Sequence, residues 1–439
     1  MEIKQNNLFV GVSKESITPA LGTELYGYPL PLRCAERVMD PISVGAIAVK
    51  QGEDTVIYIS AEVCLFKVPK ASQMRKVISD ATGIKYENVI LGCIHTHSGP
   101  ITSGSTGWGA ANTDFIDNFF LPRAVKVAQE AVSRLQPAVM GLGISETMAG
   151  INRRQIDENG NVILGQNPEG PYDPTMTLIC FKSPEGKHLG SMVHFAAHPT
   201  AAGRNPAFTR DWPGLVIDKV EELTGAMCIF FNGAEGDVGP RLSNGETTGG
   251  EEHVIEAGLI AAADIEKAYK NIDNYIVPKM KIHYGTIFLP YITPYTREFT
   301  EARIREFEEN PETIEGVRAS LYDQLKRLKT LYDSGEELPR GNEILQTVVS
   351  LGDIAIVPAP FEAFCNIALA IREGSPYKHT IMLGLTNGTY GYLPTEDQLS
   401  FGGYEVDSFR TIGTIGMVDD ADKHFITQNV KLLNEIYNK

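Results

Sequence analysis

Asn88-Val89-Ile90-Leu91-Gly92-Cys93-Ile94 runs without a charge straight into His95-Thr96-His97-Ser98-Gly99-Pro100. An uninterrupted apolar run of this length has the signature of a strand buried on both faces, because a half-exposed strand would alternate polar and apolar side chains. Such a strand carries few polar groups itself. They collect in the loop beyond its carboxyl end, where ligands of helix-flanked sheets gather. Further runs of this kind are Thr55 to Ser60, Leu178 to Lys182, Gly190 to Ala196, Met227 to Phe231, Ile354 to Val357 and Thr380 to Leu385. Segments of helical period lie between them, at Val68 to Ala81, Phe115 to Leu135, Pro213 to Leu223, Glu252 to Tyr269 and Glu362 to Ile371. Asp211 followed by Pro213 suits a capped first helical turn. The charged stretch Thr296 to Ser334 reads as two helices broken at Asn310-Pro311 with a solvated face, and a last helix runs from about Asp420 to Tyr437. With no internal repeat or linker-like tract, residues 1–439 are expected to form a single large α/β domain of mixed β-sheets flanked by helices.

The residues just beyond the apolar runs are more informative than the runs themselves. One run ends in His95-Thr96-His97, a second in His198-Pro199-Thr200, a third in Asn232-Gly233-Ala234-Glu235-Gly236-Asp237, a fourth in Pro360-Phe361-Glu362 and a fifth in Thr386-Asn387-Gly388. Five such endings suggest one pocket. His95 and His97 are two apart, so in extended backbone their rings share a face. Neutral imidazole and carboxylate suit zinc, and a catalytic site keeps one coordination position open for water. A His-x-His pair is a weak motif, and taken alone His95 and His198 serve equally well as satisfied core histidines. The isolated His188, His253, His283, His379 and His424 read as ordinary structural or surface residues. Ser103-Gly104-Ser105-Thr106-Gly107-Trp108-Gly109 lacks the lysine of a P-loop and reads as a substrate-facing loop, not a phosphate cradle.

Composition narrows the function further. A hydrophobic content of 43% over 439 residues supports a sizeable core. The formal net charge of -16 opposes general attraction to nucleic acid or anionic lipid. No apolar run approaches the roughly 20 residues of a transmembrane helix, and Met-Glu-Ile-Lys-Gln-Asn-Asn at the start has no apolar leader core. The expected location is cytoplasmic, or secreted or periplasmic if a leader has been removed. Cys34, Cys64, Cys93, Cys180, Cys228 and Cys365 are scattered, mostly in apolar surroundings, and read as buried free thiols.

At the histidine motifs the sequence resembles the amino-terminal catalytic domain of the neutral ceramidases, zinc amidases that cleave the fatty amide of the sphingolipid ceramide. The resemblance runs in order through Gly11-Val12-Ser13 with Ile17-Thr18-Pro19, His95 to Pro100, Ile151-Asn152-Arg153, His194 to Thr200, Asn232 to Val238, Pro360-Phe361-Glu362, and Thr386-Asn387 through Tyr404-Glu405. It implies a Zn2+ ion held by His95, His198, Glu362 and Tyr404, with His97 and Arg153 beside the substrate. A tyrosine ligand binds largely as phenolate, so the metal must depress a pKa ordinarily near 10. On this reading metal-activated water attacks a substrate carbonyl, His97 moves protons to the leaving amine, and Arg153 counters the oxyanion. Asp237 orients a ligand histidine or stabilises its turn, and Arg154 is an ordinary surface charge.

Three departures separate this chemistry from ceramide itself. Gly236-Asp237-Val238-Gly239-Pro240 has glycine where the family has serine. The chain ends without the family's carboxyl-terminal immunoglobulin-like domain, and a cytoplasmic protein would not meet extracellular ceramide. The expected substrate is a small-molecule amide or lipid-like compound. An esterase using the same metal and a metal-retaining binding protein without catalysis remain the alternatives.

Overall fold

A computed structural model describes residues 7–411 and 413–439. Its main sheet has eight strands in the order Cys228–Asn232, His188–Phe195, Thr175–Lys182, Gln136–Glu146, Leu8–Ser16, Ser43–Gln51, Asp54–Ala61 and Val89–Cys93. The pair at each edge is parallel and the pairs between are antiparallel. At the centre, Leu8–Ser16 and Gln136–Glu146 pair only through Leu8, Phe9 and Val10. The sheet folds over at that weak seam, and its two halves face each other. Glycines permit the close approach: a Cβ at Gly92 would meet Phe231 at 2.6 Å, and one at Gly45 would meet Ile229 at 2.5 Å. Ser60 Oγ spans the same gap and donates to Phe230 O at 2.6 Å.

Each strand is thereby covered twice, which explains the unbroken apolar runs. Ile47, Val49, Val56 and Tyr58 enter an interior shared with Ile229 and Phe231. Their neighbours Ala46, Ala48, Ile57 and Ile59 face outward, beneath helices Val68–Thr82 and Leu121–Ser133. Helices Trp212–Thr224 and Glu251–Lys270 cover the other half in the same way. A four-stranded sheet, Met280–Pro290, Gly341–Leu351, Ile354–Pro358 and His379–Leu383, adds a third wall to the interior. Its Val349, Ile354 and Ile356 face the shared core, while Val348, Ala355 and Val357 meet helices Cys365–Glu373 and Ala421–Tyr437. Burial of each such Val or Ile contributes about 1.5–3 kcal/mol, so the shared interior dominates the packing energy.

All seven expected strands are present, and the mixed α/β class holds. The break at Asn310-Pro311 is also present, between helices Arg297–Glu309 and Gly316–Ser334. Asp211 caps its helix by accepting from Trp212 N at 2.7 Å. Two expectations need correction. Glu362 does not begin a helix: Glu362–Ala363 is a short strand parallel to Tyr392–Leu393, and the helix starts at Cys365. Cys34 is exposed, whereas the other five cysteines are buried and all are free. Among the described residues, no helix is long and apolar enough to cross a membrane.

Candidate metal centre

His95 leaves the Val89–Cys93 edge of one half-sheet, and His198 leaves His188–Phe195 in the other. Folding the sheet over brings the two carboxyl ends together. Asn232 ties them, its Nδ2 donating to Ile94 O and Ala197 O at 3.2 and 3.1 Å. The chain turns at His95 with φ +74°, a left-handed conformation that costs a residue with a side chain about 1–3 kcal/mol. Two bonds hold it there: His95 N donates to Val63 O at 3.1 Å and Nδ1 to Cys64 O at 3.0 Å. In His198 the Nδ1–H donates to Glu235 O at 2.7 Å, with Val238 O at 3.1 Å. Because a carbonyl can only accept, both rings carry their proton on Nδ1, and both Nε2 lone pairs are left to face the same point.

Glu362 completes that convergence. Its Oε2 lies 3.3 Å from His95 Nε2 and 3.4 Å from His198 Nε2, and the three residues are only 2%, 0% and 6% exposed. Donors held about 2.0–2.1 Å from a tetrahedral zinc ion stand about 3.3 Å apart, so this spacing and this N,N,O chemistry fit the ion. His97 Nε2 is 3.4 Å from His95 Nε2, and its buried Nδ1 has no partner among the described residues. Burial, with His95 and His198 nearby, holds His97 well below the usual imidazole range. Burial also lowers His198, to about 3. Burial opposes the charged forms of His95 and Glu362, yet Cys64 and then Glu362 raise the imidazole, and His95 and His198 lower the carboxyl.

Tyrosine enters through the parallel pairing of Glu362 with Tyr392. This register sets Tyr392 beside the carboxylate, with its hydroxyl 3.4 Å from His198 Nε2. Tyr404, the tyrosine named from the sequence, opens helix Tyr404–Thr411, is 36% exposed and turns its ring edge to Tyr392 at 5.7 Å between centroids. Arg153 donates to Tyr392 Oη at 2.9 Å and to Glu405 Oε1 at 2.8 Å.

No protein-family model and no curated protein matches the sequence. Among solved structures, neutral ceramidase from Pseudomonas aeruginosa matches with TM-score 0.74 at 17% identity, covering 98% of this chain and 75% of that one. A ceramidase complexed with C2 matches with TM-score 0.74 at 18% identity and the same coverage. The chain has the neutral ceramidase fold.

Within that fold, several residues take places that the sequence did not disclose. Arg154 is not a surface charge: it is 4% exposed, and its Nη1 donates to Glu405 Oε2 at 2.8 Å. One carboxylate thus serves two buried guanidiniums, since neither could be buried unpaired. Asp237 does not reach a histidine ring through its carboxylate. It accepts from Cys365 N at 2.7 Å and Asn152 Nδ2 at 3.2 Å, fastening the loop whose carbonyls hold His198. Glu235 in the same loop is buried, neither carboxylate oxygen has a partner among the described residues, and burial raises its pKa to about 8. The space beside Gly239 is filled by Thr247, whose Cγ2 would lie 2.5 Å from an added Cβ. The glycine-rich loop is anchored at its tip, where Asp323 accepts from Thr106 N and Oγ1 at 2.9 and 2.7 Å.

Proposed function

We propose that this protein is a metal-dependent hydrolase that cleaves carbon–nitrogen amide bonds. The observation that carries the reading is the convergence of His95 Nε2, His198 Nε2 and Glu362 Oε2 on one point, with both Nδ1 atoms tied back to carbonyls. These three residues would hold zinc. The hydroxyl of Tyr392 lies 3.4 Å from His198 Nε2, which supports it as the fourth donor, with Tyr404 packed edge-on against its ring. Zinc bound there supplies a Lewis acid and lowers the pKa of water toward neutrality.

The chain's own groups perform the rest. Arg153 stays charged because Glu405 and Tyr392 offset its burial, and it faces the oxygen of a substrate carbonyl as negative charge develops there. His97 remains neutral at pH 7, so it accepts a proton from attacking water and delivers it to the leaving nitrogen. Asp237 and Glu235 position the His198 loop, the first through its carboxylate and the second through its backbone carbonyl.

The test is elemental analysis of protein purified without chelator, followed by a screen of acyl amides and acyl esters before and after metal removal. Zinc near one ion per chain and chelator-sensitive amide hydrolysis are expected. Hydrolysis of esters alone would make the protein an esterase, and hydrolysis of neither by zinc-loaded protein would leave a binding protein.

A further inference from the structure

Val68, Ser72 and Arg75 recur at helical spacing along helix Val68–Thr82, so they share one face. That face borders a cavity of about 190 Å³, whose other walls are strand Gly341–Leu351 at Ile344 and Leu345 and the loops at Pro360, Asn387 and Tyr390. None of the residues assigned to the metal centre lines it, so the cavity is a separate site. Its size suits a ring, because an apolar cavity of about 150 Å³ accepts benzene. The rings of Tyr86, Tyr390, Pro358 and Pro360 in its walls suit one as well.

Arg75 supplies the polar end. It is 3% exposed and stacks on the Tyr86 ring at 4.3 Å. Its Nε donates to Val89 O at 2.7 Å, Nη1 to Tyr86 Oη at 3.3 Å and Nη2 to Tyr86 O at 3.2 Å. Those bonds fix the guanidinium plane and leave one N–H on each Nη unused among the described residues. Ser72, in the same wall, makes no hydrogen bond among the described residues, and Asn387 commits its Oδ1 to Leu91 N at 3.1 Å but not its Nδ2. A fixed guanidinium fork flanked by a hydroxyl and a carboxamide matches a planar carboxylate. Glu343, the acid in the lining, is exposed, so water screens its charge.

The walls lead to the metal centre. Pro360 precedes Glu362 by two residues and Tyr390 precedes Tyr392 by two, and Tyr390 N donates to Pro360 O at 2.9 Å. Asn387, held at φ +66°, donates through its N to Leu91 O at 2.6 Å, in the strand that delivers His95. Displacing these walls therefore moves the backbone that carries Glu362, Tyr392 and His95.

We propose that this cavity binds a small ring-bearing carboxylate and that its occupancy is felt at the metal centre. The coupling rests on the metal reading given above, whereas the binding does not.

The experiment titrates benzoate and its neutral counterpart benzamide into the full chain, zinc-loaded and zinc-free, by calorimetry. Benzoate is expected to bind both forms, about ten-fold or more tighter than benzamide. Ser72→Phe fills the cavity from the helix without touching a bond of Arg75, and Leu345→Trp obstructs it from an exposed position. Both should abolish binding while zinc content stays at the parent value. In native protein, saturating benzoate should change the rate at which a chelator strips the zinc by about five-fold or more, and in Ser72→Phe it should not. Binding of neither ligand, or benzoate binding that needs zinc or survives both obstructions, would overturn the site. Equal affinities would overturn the carboxylate, and binding without a change in zinc release would overturn the coupling. A chain that takes up no zinc would fail the metal reading and the coupling together, and benzoate binding to that chain would still uphold the site.

Discussion

Glu405→Gln keeps the size of the side chain and removes its charge. In the structure the carboxylate is 1% exposed and receives Arg153 Nε on one oxygen and Arg154 Nη1 on the other, both at 2.8 Å. The amide retains one acceptor and turns a donor toward the second guanidinium, so at least one arginine is left buried without a counter-charge. Breaking a buried pair from one side costs about 3–5 kcal/mol, against a total stability of about 5–15 kcal/mol. The loss should appear as a lower urea midpoint in unfolding followed by tryptophan fluorescence, with the slope of the transition unchanged. Glu337→Gln is the control, because Glu337 and Arg340 are 82% and 85% exposed and such pairs contribute almost nothing. Activity should fall too, since Arg153 loses the brace that holds it against Tyr392. A midpoint for Glu405→Gln as close to the parent as that of the control would refute the reasoning.

Three other outcomes are expected. Tyr392→Phe should lose zinc and activity together while Tyr404→Phe keeps its zinc, as read by metal content; the reverse pattern would restore Tyr404 to the coordination sphere. Gly239→Ser should lower the thermal midpoint because its Cβ meets Thr247 at 2.5 Å, and Thr247→Ala in the same chain should recover part of the loss; equal midpoints for the parent and Gly239→Ser would contradict this. His194 lies outside the metal cluster, and burial lowers it to about 4 from 6.5. Its folded pKa is depressed, so the stability it contributes is intact above pH 6.5 and is lost progressively as pH falls toward about 4. Urea midpoints across that window should fall less steeply in His194→Gln, and parallel profiles would argue against it.

The two histidines were legible because each lies just past an apolar run, and a run buried on both faces has nowhere else to put polar groups. Glu362 was legible as an ending, although the helical period of the residues after it drew it into the wrong element. Tyr392 was not legible. It follows the turn-rich stretch Asn387-Gly388-Thr389-Tyr390-Gly391, and pairing with a strand thirty positions away sets it beside Glu362. Arg154 read as a surface charge because its partner, Glu405, sits 251 residues on. The antiparallel strands Leu8–Ser16 and Gln136–Glu146 escaped for a different reason. Glycine, serine and charged residues interrupt their apolar pattern, and it is the covering layers that make them strands.

Gly92 and Phe231 set how near the two half-sheets can lie, and the histidines hang from opposite half-sheets like the jaws of a caliper. The gap between the imidazoles is therefore gauged by residues in the interior that never touch an ion. A methyl group added at Gly92 would prise the jaws apart by a fraction of an ångström. That is the scale on which zinc-sized and calcium-sized cations differ in bond length. If the centre holds a metal as proposed, its choice of ion would thus be written partly into a glycine on a buried strand.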